Sequence, residues 1–230
     1  MPDAGVILSW SSGKDSAWSL HELRALAGAE VRALITSFNE QADRVAMHAV
    51  RRELVQAQAD AAGLPLVEVG LPWPCSNEDY EQVFGQALQS AATKFNVTKI
   101  AFGDLYLADI RSYRERQMSD LGLDPLFPLW QRPTAQLARD MIAGGLRATL
   151  TCVDPTRLDP AFVGRDFDAA LLDELPNDVD PCGENGEFHT FTWSGPMFDQ
   201  SVDIRLGEKV TRDGFCFADV VPIAMESATP

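Results

Sequence analysis

Apolar and polar positions alternate in a regular way over the first half of the chain. Between short apolar runs, apolar residues recur at spacings of three and four, which predicts amphipathic helices. The runs themselves are mostly apolar, which is typical of strands buried on both faces. They lie at 6–8, 31–38, 66–69 and 97–102. Strands that alternate with helices over short connections form a parallel sheet with helices on both faces, so the pattern predicts an α/β fold.

The second half of the chain is organised differently. A proline interrupts the apolar run at 126–130, and Gly144 and Gly145 end a predicted helix that begins at about Thr134. The remaining predicted elements are a strand at 146–153, a helix near 167–175 and a closing hairpin made of 202–206 and 215–221. Successive strands joined by a tight turn pair antiparallel, so this half does not continue the alternation of strand and helix.

Composition excludes several classes of protein. The chain has 230 residues, of which 46% are hydrophobic and 23% charged, as in ordinary globular proteins. A net charge of −15 repels a phosphate backbone, so nucleic acid is not expected as a general partner. The chain contains no apolar stretch of about 20 residues and no basic segment before its first apolar run, so we expect no membrane partner and a cytoplasmic protein.

The cysteines give no sign of a metal or redox motif. They are far apart and form no C-x-x-C pair, so zinc-ribbon and thioredoxin-like sites lose their support. The favoured interpretation is four reduced, apolar side chains, with the roles of Cys75 and Cys182 left open.

A small, polar segment joins the first predicted strand to the first predicted helix. Free N–H groups and a partial positive charge at a helix N-terminus bind anions, and Ser and Gly let the backbone approach them closely. Lys14 adds a full charge. The segment is not a Walker A loop, because that pattern requires Gly where Leu8 stands and Ser or Thr where Asp15 stands. We favour a phosphate-binding loop over a polar turn in which Asp15 and Ser16 merely cap the helix.

Two further segments carry candidate chemistry. Arg111 and Arg114 share one face of a predicted helix after the fourth strand, and form either an anion site or a solvated surface. Glu184, Glu187 and His189 lie in a segment rich in turn formers. They can serve as general base, magnesium ligand or amine-binding groups, although an exposed charged turn is the commoner structure for such a segment.

Several ordered motifs carry a resemblance to a known family. Residues 11–16, Ser-Ser-Gly-Lys-Asp-Ser, resemble the SGGKDS signature of the PP-loop ATP pyrophosphatases, with Ser12 in place of the middle glycine. A Gly-Asp pair at 103–104 before the Arg-rich helix, Pro-Leu-Trp at 128–130 and Gly-Glu-Asn-Gly-Glu-Phe at 183–188 follow in the order found in the diphthine–ammonia ligase family. The resemblance extends from Val6 to about Phe198.

This resemblance implies a fold and a reaction. The fold would be a Rossmann-like ATP-binding domain at 1–108 and a smaller α+β substrate domain at 109–230. The substrates would be Mg²⁺-bound ATP, ammonia, and either a small-molecule carboxylate or a modified protein residue. The acceptor carboxylate would attack the α-phosphate, pyrophosphate would leave into the loop, and ammonia would displace AMP to give an amide. The resemblance does not decide the oligomeric state, and a homo-oligomer is one of the open alternatives.

The resemblance also assigns roles to individual residues. Its catalytic candidates are Lys14, Asp15, Glu184 and Glu187, and Asp15 with Asp104 would hold Mg²⁺. The nucleotide would contact Ser11, Ser12, Gly13, Lys14, Asp15, Ser16, Asn39, His48, Gly103 and Asp104. The substrate would contact Arg111, Arg114, Trp130, Glu184, Glu187 and His189. His189 departs from the Glu-Thr ending of the family motif, which leaves the identity of the acceptor open.

Two other functions compete with the ligase. A PP-loop tRNA thiolase shares the first motif, but it needs reactive or metal-binding cysteines and a basic surface, which this sequence lacks. A regulatory module that only binds adenine nucleotides would have no use for Glu184 and Glu187.

Overall fold

The computed structural model describes residues 5–45 and 50–223. Its first sheet confirms the predicted parallel arrangement: β1 pairs with β2 and β5, β2 also pairs with β4, and β5 pairs with β6, all in parallel. The short β3 pairs antiparallel with the end of β2. These strands are β1 (Gly5–Ser9), β2 (Val31–Asn39), β3 (Arg44–Val45), β4 (Leu66–Leu71), β5 (Val97–Ala101) and β6 (Asp124–Leu126).

Helices cover both faces of this sheet, as the alternation predicted. They are α1 (Lys14–Ala25), α2 (Arg52–Ala61), α3 (Asn77–Phe95) and α4 (Ala108–Leu121). Successive side chains of β1 point to opposite faces. Val6 and Leu8 therefore join a core formed with α1 and α2, while Ile7 joins a second core with Phe84 of α3 and Met118 of α4.

The second half forms an antiparallel sheet in the order β8-β7-β10-β9. The predicted hairpin is present, and both Asp213 and Gly214 at its turn have positive φ, as an Asp-Gly hairpin turn requires. The elements are α5 (Thr134–Ala143), β7 (Arg147–Val153), a 3-10 helix (Pro160–Phe162), α6 (Ala169–Glu174), β8 (Phe188–Ser194), β9 (Ile204–Arg212) and β10 (Phe215–Pro222).

The structure departs from the predicted elements in three places. The strands β3, β6 and β8 are not evident in the sequence pattern. Residues 46–49, which include His48, lie outside the described residues. Because β6 belongs to the first sheet, that sheet extends to residue 126; the domain boundary at 108 stays a prediction.

The two sheets share one apolar core and several polar contacts. Asp219 of β10 binds Arg44 at 2.9 Å and Arg51 at 2.6 Å, and the Thr192 N–H of β8 donates to the Ser12 carbonyl at 3.0 Å. The Thr192–Ser12 hydrogen bond places β8 next to the loop that precedes α1. Within the described ranges, no helix has the length and apolar character needed to cross a bilayer.

Candidate functional site

A cavity of about 270 Å³ lies where β1 and β5 end. Ligands of parallel sheets bind at this edge, beyond the carboxyl ends of the strands. Its walls combine residues of the loop at 11–16, the Gly103-Asp104 pair, Arg114, and residues of the segment 182–190. The fold therefore brings the two halves of the chain together around one site.

The loop at 11–16 is held in a strained conformation. Ser12 has φ of +70°, the left-handed region that costs a residue with a Cβ about 1–2 kcal/mol. A serine in place of the usual glycine therefore carries a conformational cost here. The next residue, Gly13, is the N-cap of α1, and the Ser16 hydroxyl donates to the Gly13 carbonyl at 3.0 Å. The loop thus delivers the N-terminus of α1 to the cavity wall.

Lys14 is buried in the wall between the two halves of the chain. Its Nζ donates to Asp15 Oδ2 at 2.9 Å and to the Cys182 carbonyl, and lies over the Phe188 ring. Burial disfavours its charge, but the neighbouring Asp15 and Cys182 more than offset this, so the pKa of Lys14 lies above its usual value. The backbone N–H of Lys14 donates to the Thr190 hydroxyl at 3.0 Å. The site therefore holds a permanent cation at the start of α1.

Asp15, in the first turn of α1, and Asp104, after the end of β5, both line the cavity. Burial raises the pKa of both carboxyls. The charge of Lys14 offsets part of the rise in the pKa of Asp15. The charge of Arg114, whose Nε lies 3.9 Å from Asp104 Oδ2, offsets part of the rise in the pKa of Asp104. Among the described residues, Asp15 Oδ1 and Asp104 Oδ2 are buried without a hydrogen-bond partner. Gly103 lets the end of β5 approach the first turn of α1, because a Cβ there would lie 3.1 Å from the Asp15 backbone.

These two carboxylates fit a magnesium ion shared with a phosphate. Mg²⁺ is commonly bound by one or two carboxylates together with substrate phosphates and water. Within the part of the chain that the structure describes, no cluster of three metal-binding side chains occurs. The oxygens of Asp15 and Asp104 that lack a hydrogen-bond partner suit a site in which phosphate oxygens complete the coordination of the ion. The binding of Mg²⁺ stays a prediction.

Glu184 and Glu187 have different environments. Glu184 lines the cavity, and its Oε1 accepts from the backbone N–H of Leu105 at 2.8 Å. Burial raises the pKa of Glu184 to about 7, although the Leu105 N–H opposes this. Glu187 is buried and accepts from the N–H groups of Asp180 and Asn185 and from the Asn185 amide. Glu187 therefore shapes the turn that carries Glu184, and its catalytic role stays a prediction.

His189 lies at the junction of this cavity with a second one. His189 lines both cavities. The second cavity, of about 500 Å³, is lined by apolar side chains and by Asn39, Gln41, Arg44, Arg212 and Asp213. Burial lowers the pKa of His189 to about 4, and the Lys14 charge adds to this, so the imidazole is neutral at pH 7. The Asn39 side chain accepts from the backbone N–H groups of Gln41 and Ala42.

The two predicted arginines are separated by the structure. Arg114 lines the cavity and packs over the Phe102 ring. Arg111 is held between the rings of Phe127 and Trp130, at 4.8 and 4.7 Å, and pairs with Glu115 at 2.7 Å. Arg111 and Trp130 are therefore not part of the cavity wall.

Two residues of the site were not singled out from the sequence. Thr190 provides the hydroxyl that accepts from Lys14 N–H, and the buried Gln58 binds the Ser12 carbonyl. A glutamine four residues after Leu54, on the apolar face of α2, is the one local signal that points to Gln58. Thr190 has no comparable local signal.

The fold and site define an α/β protein of the PP-loop type, in which the loop at 11–16 follows the first strand and contributes to the cavity wall. Family models agree with this: the diphthamide synthase N-terminal domain matches residues 4–125, and the diphthamide synthase C-terminal domain matches residues 133–221. The chain belongs to the diphthamide synthase family.

Curated relatives carry the name of an enzyme. The chain is 30% identical to the diphthine–ammonia ligase of Danio rerio, over 91% of this chain and 90% of the relative. It is 29% identical to the enzyme of the same name from Bos taurus and 28% identical to that from Homo sapiens, in each case over 91% of this chain and 86% of the relative. The predicted family and the predicted class, an ATP-dependent ligase, are confirmed.

Proposed function

We propose that the protein forms an amide by adenylating a substrate carboxylate and transferring ammonia to it. The observation that supports this best is the meeting of the loop at 11–16 with Asp104, Arg114 and Glu184 in one cavity. The loop can bind the phosphate chain of ATP, and Glu184 can accept a proton. The relatives named diphthine–ammonia ligase agree with ammonia as the second nucleophile.

The phosphates of ATP would bind at the N-terminus of α1. Backbone N–H groups, the dipole of α1, Lys14 and Arg114 all favour negative charge at this point. Charge that develops on the leaving pyrophosphate is stabilised by donors already in place. Bound Mg²⁺, held by Asp15 and Asp104 with phosphate oxygens, would neutralise part of that charge.

The proposed reaction has two steps. An oxygen of the acceptor carboxylate forms a bond to the α-phosphorus, and the bond to the bridging oxygen breaks, with its electron pair leaving on pyrophosphate. The nitrogen of ammonia then attacks the acyl carbon, AMP leaves, and the nitrogen loses a proton. With a pKa of about 7, Glu184 is partly ionised at neutral pH and can accept that proton.

The cysteines support this reaction over sulfur transfer. Burial raises the pKa of the Cys152 thiol to about 12 and that of Cys182 well above its usual value. Sulfur transfer needs a thiolate, which is favoured by partial exposure and nearby positive charge. Both thiols are buried, and at Cys182 burial outweighs the nearby Lys14 charge, so neither side chain favours a thiolate.

The acceptor is either a modified protein residue, as the name of the relatives indicates for them, or a small carboxylate. The test incubates the protein with Mg²⁺, ATP, ammonium and each acceptor in turn, including an elongation factor that carries diphthine. We expect AMP and pyrophosphate in equal amounts, dependent on the acceptor, and an amide that requires ammonium.

The matched variants are Lys14→Ala, which should lose turnover, and Lys94→Ala, which changes an exposed lysine of α3 and should not. Because Lys14 is buried, the folding of its variant is checked by circular dichroism. Release of ADP and phosphate, or product formation that ignores ammonium, would contradict the proposal.

A further inference from the structure

Gln58 is a fully buried amide in the middle of α2 that binds three other groups. Its Oε1 accepts from the indole N–H of Trp10 at 2.9 Å. Its Nε2 donates to the carbonyl oxygens of Ser12 at 3.0 Å and Thr192 at 2.6 Å. The indole is only a donor and both carbonyls are only acceptors, so one orientation of the amide satisfies all three groups. Gln58 thus joins the end of β1, the phosphate loop and β8.

The Ser12 carbonyl needs these partners. Ser12 has φ of +70°, and a strained backbone of this kind persists only where its surroundings fix it. Both the Gln58 amide and the Thr192 N–H donate to this carbonyl, each at 3.0 Å. The strain of the loop is therefore held by hydrogen bonds from α2 and from β8.

Fixing this carbonyl also fixes the next N–H group. In a trans peptide the C=O of one residue and the N–H of the next point in opposite directions. The Ser12 carbonyl points toward Gln58, so the Gly13 N–H points away from Gln58. Gly13 itself lines the cavity. Rotation of this peptide would replace a donor in the loop with a carbonyl oxygen, which repels an anion.

We propose that Gln58 is a positioning residue for pyrophosphate: it holds the Ser12–Gly13 peptide so that the Gly13 N–H faces the phosphates of ATP. This inference rests on the proposed function, because it takes the loop to be the pyrophosphate site. Gln58 touches neither substrate nor reacting atoms, and it acts only through the loop.

The test uses Gln58→Leu with Gln56→Leu as its control. Gln56 lies on the same helix, is exposed, and donates to Asp60. The dissociation constants of pyrophosphate with Mg²⁺ and of AMP are measured by calorimetry for each variant. For Gln58→Leu we expect pyrophosphate to bind at least tenfold more weakly and AMP within twofold of wild type, with a lower kcat. The control should match wild type in each respect. Equal losses for both ligands, or no loss for pyrophosphate, would overturn the inference.

A second variant covers the case in which Gln58→Leu does not fold. Gln58→Glu keeps the shape of the side chain and an acceptor for Trp10, but its ionised form turns an oxygen toward the Ser12 carbonyl. We expect its defect in pyrophosphate binding, relative to wild type at the same pH, to grow between pH 6 and pH 8.5. A defect that is absent or independent of pH overturns the positioning role. Failure of the wild-type protein to bind pyrophosphate overturns the proposed function as well, whereas normal wild-type binding with normal variants overturns this inference alone.

Discussion

The two glutamates of the segment 183–188 should respond in opposite ways to the same substitution. The pKa of Glu184 rises from 4.5 to about 7 in the folded protein. Between these values the folded state binds more protons than the unfolded state, so stability falls as pH rises from 4.5 to 7. At about 1.4 kcal/mol per pH unit, the ionised side chain costs at most about 3.5 kcal/mol at pH 8. We expect roughly half of this, because Glu184 is partly exposed to water.

Glu184→Gln removes this cost and keeps an oxygen to accept from the Leu105 N–H. It should therefore stabilise the protein at pH 8 by about 1–2 kcal/mol, with little effect at pH 4.5. For a chain of this length that raises Tm by about 2–4 °C per kcal/mol. Turnover at pH 8 should fall at the same time, because the variant cannot accept a proton from ammonia.

Glu187→Gln is the matched control. Both oxygens of Glu187 accept hydrogen bonds, so an amide there places an NH₂ group against a donor. We expect a loss of about 1–3 kcal/mol. Thermal denaturation between pH 4.5 and pH 8.5 measures both variants. A Glu184→Gln protein whose stability follows that of wild type across this range would refute the reasoning from burial.

Three further predictions follow from the site and its supports. Ser12→Gly relieves the left-handed strain and removes a buried hydroxyl that has no hydrogen-bond partner among the described residues. The variant should therefore stabilise the folded protein by about 1 kcal/mol. An unchanged or lower Tm would contradict this. Arg114→Ala should weaken ATP binding about tenfold, whereas Arg111→Ala should leave ATP binding within twofold of wild type and lower the stability of the protein instead. Calorimetry measures the binding and denaturation measures the stability of each variant. Equal effects of the two variants on ATP binding would contradict the assignment. Asp219→Ala removes the acceptor shared by Arg44 and Arg51. Urea denaturation should show a free energy of unfolding lower by about 1–2 kcal/mol, with a smaller loss in high salt. A loss that does not depend on salt would indicate that Asp219 acts through packing instead.

The sequence by itself determined four of the parallel strands of the first sheet and singled out the loop at 11–16. Four apolar runs of strand length, separated by helical spacing, are local signals, and each became a strand of the parallel sheet. The Asp-Gly hairpin turn is equally local, as is the capping box of α3, in which Ser76 and Asp79 bind each other's backbone N–H groups. The loop at 11–16 was recognisable because the residues that can form an anion site are adjacent in the chain.

The tertiary structure alone decided which candidate side chains share the site. It separated Glu184 from Glu187 and Arg114 from Arg111, although each pair is close in sequence and chemically alike. It also joined Lys14 to Thr190, 176 positions apart, and Ser12 to Gln58, 46 positions apart. Local periodicity reports which face of an element is apolar, but hydrogen bonds and burial at a site depend on which elements meet, and only the packing of the two sheets sets that.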